Sequence, residues 1–94
     1  MSEKKNKPSP DHWFVIVNPN SGNKKIGKDW KKIEEYLFRQ GIHFIAVFTE
    51  RKGHAFELSK KYILEGGKKI IIAGGDGTFN EVVKYSFGLS VSSI

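Results

Sequence analysis

Two short turns carry the residue types in this chain best suited to chemistry: Gly74-Gly75-Asp76-Gly77-Thr78 and Asn18-Pro19-Asn20-Ser21-Gly22. Glycines let a backbone approach an anion without Cβ clashes and tolerate positive φ. A helix that opens directly after such a turn presents unpaired amides, and with the helix dipole these form an anion site. Thr78 adds a hydroxyl donor. Asp76 is the odd residue, because a carboxylate beside a phosphate is repulsive unless it holds a cation, a water shell or a reacting hydroxyl. Mg²⁺ suits such a place, since it takes one or two carboxylates together with phosphates and water. Two readings of Asp76 stand side by side: an organiser of metal or water, and a helix N-cap in a glycine turn. The earlier turn is good turn chemistry in its own right. It has neither the Gly-x-Gly-x-x-Gly spacing of dinucleotide sites nor the Gly-Lys-Ser/Thr ending of a P-loop.

The elements that must hold these turns follow from periodicity. Trp13–Val17 is an aromatic and β-branched run without period-2 alternation, as in a strand buried on both faces of a parallel sheet. From about Ile26 to Gln40 the pattern is helical, with Ile26, Trp30, Ile33 and Leu37 on one face and Gly41 as terminator. Phe44–Phe48 is a second strand. A second helix begins near Lys52-Gly53, carries Ala55, Leu58 and Tyr62 on one side, and ends at Gly66-Gly67. Ile70–Ala73 is a third strand, and the third helix has Phe79, Val82, Val83 and Ser86 on one side. After Gly88 the pattern is lost. The order β-α-β-α-β-α predicts an α/β fold, a Rossmann-like three-layer parallel sheet with right-handed crossovers. Ligands of such sheets bind beyond the carboxyl ends of the strands, where both turns fall. Residues 1–11 are polar and basic, with Pro8 and Pro10, and read as a disordered tail.

Three segments carry a family likeness: Phe14-Val-Ile-Val-Asn-Pro-Asn-Ser-Gly22, then Thr49 with Gly53-His54-Ala55, then Ile70-Ile-Ile-Ala-Gly-Gly-Asp-Gly-Thr-Phe-Asn-Glu-Val-Val83. Together they resemble the catalytic region of the diacylglycerol kinase and lipid kinase family, over roughly Trp13–Lys84. Gly-Gly-Asp-Gly-Thr is shared with NAD kinases, so the fold expected is the N-terminal part of a lipid-kinase or NAD-kinase-like one. The Asn80-Glu81-Val82-Val83 continuation and the upstream Asn-Pro-x-Ser-Gly favour the lipid-kinase branch.

The resemblance implies ATP-dependent, Mg²⁺-assisted phosphorylation of a lipid hydroxyl of the diacylglycerol type, a step of lipid metabolism and phospholipid biosynthesis. It implies a nucleotide site at Asn18, Pro19, Asn20, Ser21, Gly22, Thr49, Gly74, Gly75, Asp76, Gly77, Thr78, Phe79 and Asn80. Asp76 is the catalytic candidate and the metal candidate, acting on the ion through water. His54 is left outside the site, and Glu81 either orients the turn or only solvates its helix. Family members are much longer and continue into another strand and a second β-rich domain, which carries much of the lipid pocket and the group acting as general base. Residues 12–94 are accordingly expected to be an incomplete nucleotide-binding portion, inactive alone, and the ending Phe87–Ile94 departs from the family's continuation. Apolar surface from Ile70–Ala73 and the third helix is then expected to lie open and to favour self-association. The alternatives are an NAD-kinase-type phosphotransferase, with Asp76 addressing a ribose hydroxyl, and a non-catalytic nucleotide-binding remnant.

Composition narrows the classes further. The chain has 94 residues, a net charge of +6 and no cysteine. That length is one domain or part of one. Without cysteine there are no disulfides, thiolate metal sites or cysteine nucleophiles. The longest apolar runs fall far short of the roughly 20 residues of a membrane span. A cytoplasmic protein, peripheral at most to the inner membrane surface, is expected. The lysines cluster: Lys4, Lys5 and Lys7; Lys24, Lys25, Lys28, Lys31 and Lys32; Lys60, Lys61, Lys68 and Lys69. Such clusters attract phosphates of nucleotides or anionic lipids. Nucleic acid is not expected as a partner, because there are only two arginines, Arg39 and Arg51, and no groove-reading or base-stacking motif.

Overall fold

Two buried strands at the centre, Trp13–Val17 (β1) and Lys69–Ala73 (β3), organise the molecule. The computed structural model describes residues 12–83 and 90–93, the side chains of Asp76 and Ser93 excepted. The expected basic tail 1–11, Ser86 and the stretch 84–89 lie outside the described residues. The remaining elements are α1 (Ser21–Arg39), β2 (Phe44–Phe48), α2 (His54–Leu64), α3 (Asp76–Val83) and β4 (Ser90–Ser93). The sheet order is β2-β1-β3-β4, and every pairing is parallel. Phe14 stands in register with Ile45 on one side and Ile70 on the other.

Alternate residues of β1 and β3 face opposite layers, as a pleated strand requires. Phe14, Ile16, Ile70 and Ile72 pack against α2 and α3 through Ala55, Leu58, Tyr62, Phe79 and Val82. Val15, Val17, Ile71 and Ala73 pack against α1 through Ile26, Trp30, Ile33 and Leu37. The three-layer α/β architecture is therefore as expected, with α1 and α2 buried on the faces that their periodicity assigned.

Four details correct the expectation. The sheet has four strands, because Ser90–Ser93 pairs with Lys69–Ile72. Serine carries no strand signature, and only Val91 reaches the core; backbone pairing, which leaves no mark on side-chain pattern, makes this strand. Consequently Ile70–Ala73 is not open but buried throughout. The exposed side of the sheet is β2, an outer strand, where Ile45 and Phe48 are both more than 40% exposed. Val83 also points away from the core, which takes only Phe79 and Val82 from α3. Gly41 ends α1 at φ 73, the left-handed geometry anticipated for it.

Tyr62 locks α2 to the sheet. Its ring stacks on Phe14 at 4.4 Å, and its hydroxyl donates to the Lys69 carbonyl at 3.0 Å. A Cβ at Gly67 would sit 2.2 Å from that ring. A ring held at both ends has nowhere to retreat. Gly67→Ala should therefore lower stability by about 1–3 kcal/mol, the usual cost of overpacking. An unchanged denaturant midpoint would show that Tyr62 is not the lock described.

Candidate functional site

The strand order sets the place of the site. From β1 the chain crosses to one side, to β2; from β3 it crosses to the other, to β4. β1 and β3 are neighbours, so their carboxyl ends form the switch point at which α/β sheets hold ligands. The two glycine-bearing turns leave from these ends.

One side chain joins them. The Asn18 amide donates to Thr78 Oγ1 at 3.1 Å, while the Asn18 backbone N–H donates to the Ala73 carbonyl at 2.9 Å. Asn18 Oδ1 accepts the N–H of Asn20 at 3.2 Å. Thr78 is buried, so its hydroxyl serves first as a fastener between the turns. The glycines allow the approach. A Cβ at Gly74 would lie 3.0 Å from Thr78 Oγ1, and one at Gly75 would lie 2.9 Å from Ser21 Oγ. Neither of these residues, nor Gly77, has positive φ. Of the two properties expected of these glycines, close approach is used and left-handed geometry is not.

The first turn is more unusual than its composition suggested. Gly22, Asn23 and Lys24 are successive left-handed residues, with φ of 63, 62 and 70. Asparagine tolerates this region, whereas lysine in it is strained, and such strain collects at functional sites. The turn is tied by Lys24 N–H to the Asn20 carbonyl at 3.2 Å and Gly27 N–H to the Pro19 carbonyl at 3.0 Å. A Cβ at Gly27 would lie 2.9 Å from that carbonyl oxygen, so α1 sits directly on the turn. Regular right-handed helix thus begins only after Lys24.

These turns border a cavity of about 330 Å³. Asn18, Asn20 and Ser21 line it from the first turn, and Gly75, Gly77 and Thr78 from the second. Thr49, buried at the end of β2 and bonded through its N–H to the Val17 carbonyl at 2.8 Å, lines it as well. The other residues singled out in the sequence stand behind or beside the wall: Pro19 under α1, Gly74 between Asn18 and Thr78, Phe79 against the core, and Asn80 exposed. Gly22 opens the left-handed turn. Asp76 is the first residue of α3; its side chain is outside the described set.

Sequence reasoning overlooked Arg51 and Lys52, which line the same cavity from the β2–α2 loop. Their signal was only a basic pair shortly after Thr49. Arg51 forms a two-pronged pair with Glu57, at 3.0 and 2.8 Å, and the N–H of Glu50 donates to His54 Nδ1 at 2.9 Å. His54 therefore orders this loop and does not line the cavity. Glu81, whose role the sequence left open, does line it, and its Oε1 is buried without a hydrogen-bond partner among the described residues. An orphaned carboxylate oxygen on the wall of such a cavity suits a cation, its water shell or a hydroxyl. No three His, Asp or Glu side chains among the described residues are grouped to hold a metal ion unaided.

Known proteins are similar to this chain in sequence and in fold. The model of the diacylglycerol kinase catalytic domain family matches residues 12–91. A ceramide kinase of Arabidopsis thaliana is 34% identical over 77 residues, covering 79% of this chain and 13% of that protein. A diacylglycerol kinase of Staphylococcus carnosus is 35% identical over 69 residues, covering 73% of this chain and 22% of that protein. The chain thus spans about a quarter or less of the curated relatives it matches. A solved structure of a candidate diacylglycerol kinase from Bacillus anthracis superposes with a TM-score of 0.74 at 20% identity, covering 93% of this chain and 31% of that one. That likeness is one of fold.

Asn18→Ala removes the fastener and leaves the Thr78 hydroxyl buried without its donor. A stability loss of about 1–3 kcal/mol is expected, and an equal denaturation midpoint would contradict it. Hydrogen bonding to Arg51, with its positive charge, holds the Glu57 carboxyl below its ordinary value. The pair is therefore intact above the ordinary glutamate range and opens as pH falls through the lowered value. An NMR titration of Glu57 should show that depression, and Arg51→Ala should abolish it.

Proposed function

This chain belongs to the diacylglycerol kinase catalytic domain family, and from that premise we propose that it forms the nucleotide-binding part of an ATP-dependent lipid kinase. Its substrate on this reading is a diacylglycerol-type lipid hydroxyl, met in the cytoplasm at a membrane surface. The reading is carried by one observation: the turns after β1 and β3 close on a single cavity through Asn18 and Thr78. No helix among the described residues is long and apolar enough to cross a membrane.

Phosphoryl transfer rests on positioning and on stabilising charge at the transferred group. The amides at the start of α3, with Gly77 and Thr78, are suited to hold phosphate oxygens. Arg51 and Lys52 supply positive charge from the β2–α2 loop. Thr49 and the first turn complete the nucleotide's surroundings, and the remaining positions assigned from sequence support these from behind. Mg²⁺ fits as an ion shared between phosphates, water and one or two carboxylates. Asp76 is the carboxylate assigned to that water shell, and the Glu81 oxygen, without a hydrogen-bond partner among the described residues, lines the same cavity. The ion, when bound, neutralises charge on the phosphates. The residues described here position the phosphate donor; spanning about a quarter or less of its curated relatives, the 94-residue chain by itself is expected not to phosphorylate diacylglycerol.

Calorimetric titration of the chain with Mg-ATP tests the reading. Saturable binding is expected, weakened about tenfold, or about 1.4 kcal/mol, by Asp76→Ala. Absence of binding, or an affinity indifferent to Asp76, would leave a folded member of the family without its nucleotide site.

A further inference from the structure

The loop that brings positive charge to the cavity is fixed twice, once through its backbone and once through a side chain. Arg51 and Lys52 both line the cavity from this β2–α2 loop. Its backbone is folded onto the start of α2. The His54 N–H donates to the Arg51 carbonyl at 3.1 Å, His54 Nδ1 accepts the Glu50 N–H at 2.9 Å, and Gly53 turns the chain at φ 83. These bonds hold the backbone of Arg51 but leave its long side chain free to swing. Glu57, in the first turn of α2, removes that freedom. Arg51 Nη1 donates to Glu57 Oε2 at 3.0 Å and Nη2 to Oε1 at 2.8 Å. Glu57 does not itself line the cavity, and its backbone N–H is tied to the Gly53 carbonyl at 3.3 Å. Lys52, beside Arg51, has no acidic partner among the described residues.

We propose that Glu57 is a positioning residue for nucleotide binding, holding the Arg51 guanidinium as a preformed fork at the cavity wall for the nucleotide's phosphates. The inference rests on the nucleotide-site reading above and adds to it a residue that does not touch the ligand. A free arginine side chain has many rotamers and must give them up on meeting an anion. With Glu57 in place, that ordering is complete before the nucleotide arrives. The planar guanidinium has more N–H donors than one carboxylate can use, so the pair leaves donors for phosphate oxygens. Lysine, a point charge, could not be aimed in this way. The Glu57 carboxylate also repels phosphate, which opposes its positioning role. Both side chains of the pair are 57% exposed, however, and water and salt screen charge at such places. Ordering of the fork therefore outweighs repulsion, and removing Glu57 weakens binding.

The test is calorimetric titration of the 94-residue chain and its variants with Mg-ATP. Glu57→Ala should weaken binding about fivefold, the scale of a coupled charged pair. Glu57→Gln keeps an acceptor for the fork and should fall between the parent and Glu57→Ala. In an Arg51→Ala background, Glu57→Ala should change the affinity by less than about twofold, because Glu57 acts only through Arg51. Glu35→Ala removes the same charge from the α1 pair with Arg39 and should leave the affinity as it is. In NMR spectra of the free protein, the Arg51 Nε–H signal should move toward that of a solvated arginine in Glu57→Ala, a change that a merely structural role would not produce. Unaltered thermal melts exclude unfolding as the cause. An unchanged affinity in Glu57→Ala, or an equal loss in the Arg51→Ala background, would overturn the proposal. So would tighter binding by Glu57→Ala, which would make Glu57 a competitor that keeps Arg51 from the phosphates. A parent chain that does not bind Mg-ATP would overturn the nucleotide-site reading and this inference together, whereas a parent that binds no better than Glu57→Ala would overturn this inference alone.

Discussion

The structure depends on how closely β1 and β3 can end beside one another. Parallel strands in register bring Val17 and Ala73 level, and both turns then leave from the same point. Two polar turns so close would normally repel through their backbone dipoles and crowd through their side chains. Asn18 resolves the first conflict by bonding across the gap to Thr78 and the Ala73 carbonyl. Gly74 and Gly75 resolve the second by having nothing to crowd with. The cavity is what remains between turns held at this distance.

Around that centre, the layers divide their work. α2 and α3 hold one face of the sheet through Phe14, Tyr62 and Val82, all buried. α1 holds the other through Trp30 and Leu37 and reaches the site only by its first turn. The outer strands differ in kind. β4 contributes backbone pairing and a single apolar side chain, whereas β2 contributes Thr49 to the cavity and leaves hydrophobic side chains at the surface.

Much of this was legible in residue order. Runs such as Trp13–Val17 and Phe44–Phe48 state their conformation because β-branched and aromatic side chains suit a pleated sheet. The faces of α1 and α2 follow from apolar spacing, and the turns are marked by glycine and asparagine. What escaped notice has a common physical origin. β4 is made by backbone hydrogen bonds to β3, to which Ser-Val-Ser-Ser gives no clue. Arg51 and Lys52 reach the cavity because β2 ends next to β1, a relation between segments rather than within one. The left-handed run from Gly22 to Lys24 hides behind an ordinary turn composition, since lysine gives no hint of positive φ. Family resemblance supplied candidates for the nucleotide wall, but it could not show that Thr78, which lines the cavity as Gly77 does, also fastens the two turns together.

The contact between Gly27 and Pro19 bears on how such a chain can change through descent. Because helix and turn touch without a side chain between them, positions 27 and 19 form a single inherited unit. A lineage that acquires any side chain at 27 must reshape the turn at 19 in the same step, or lift α1 from the sheet. The first turn of that helix is held still by a partner eight positions earlier.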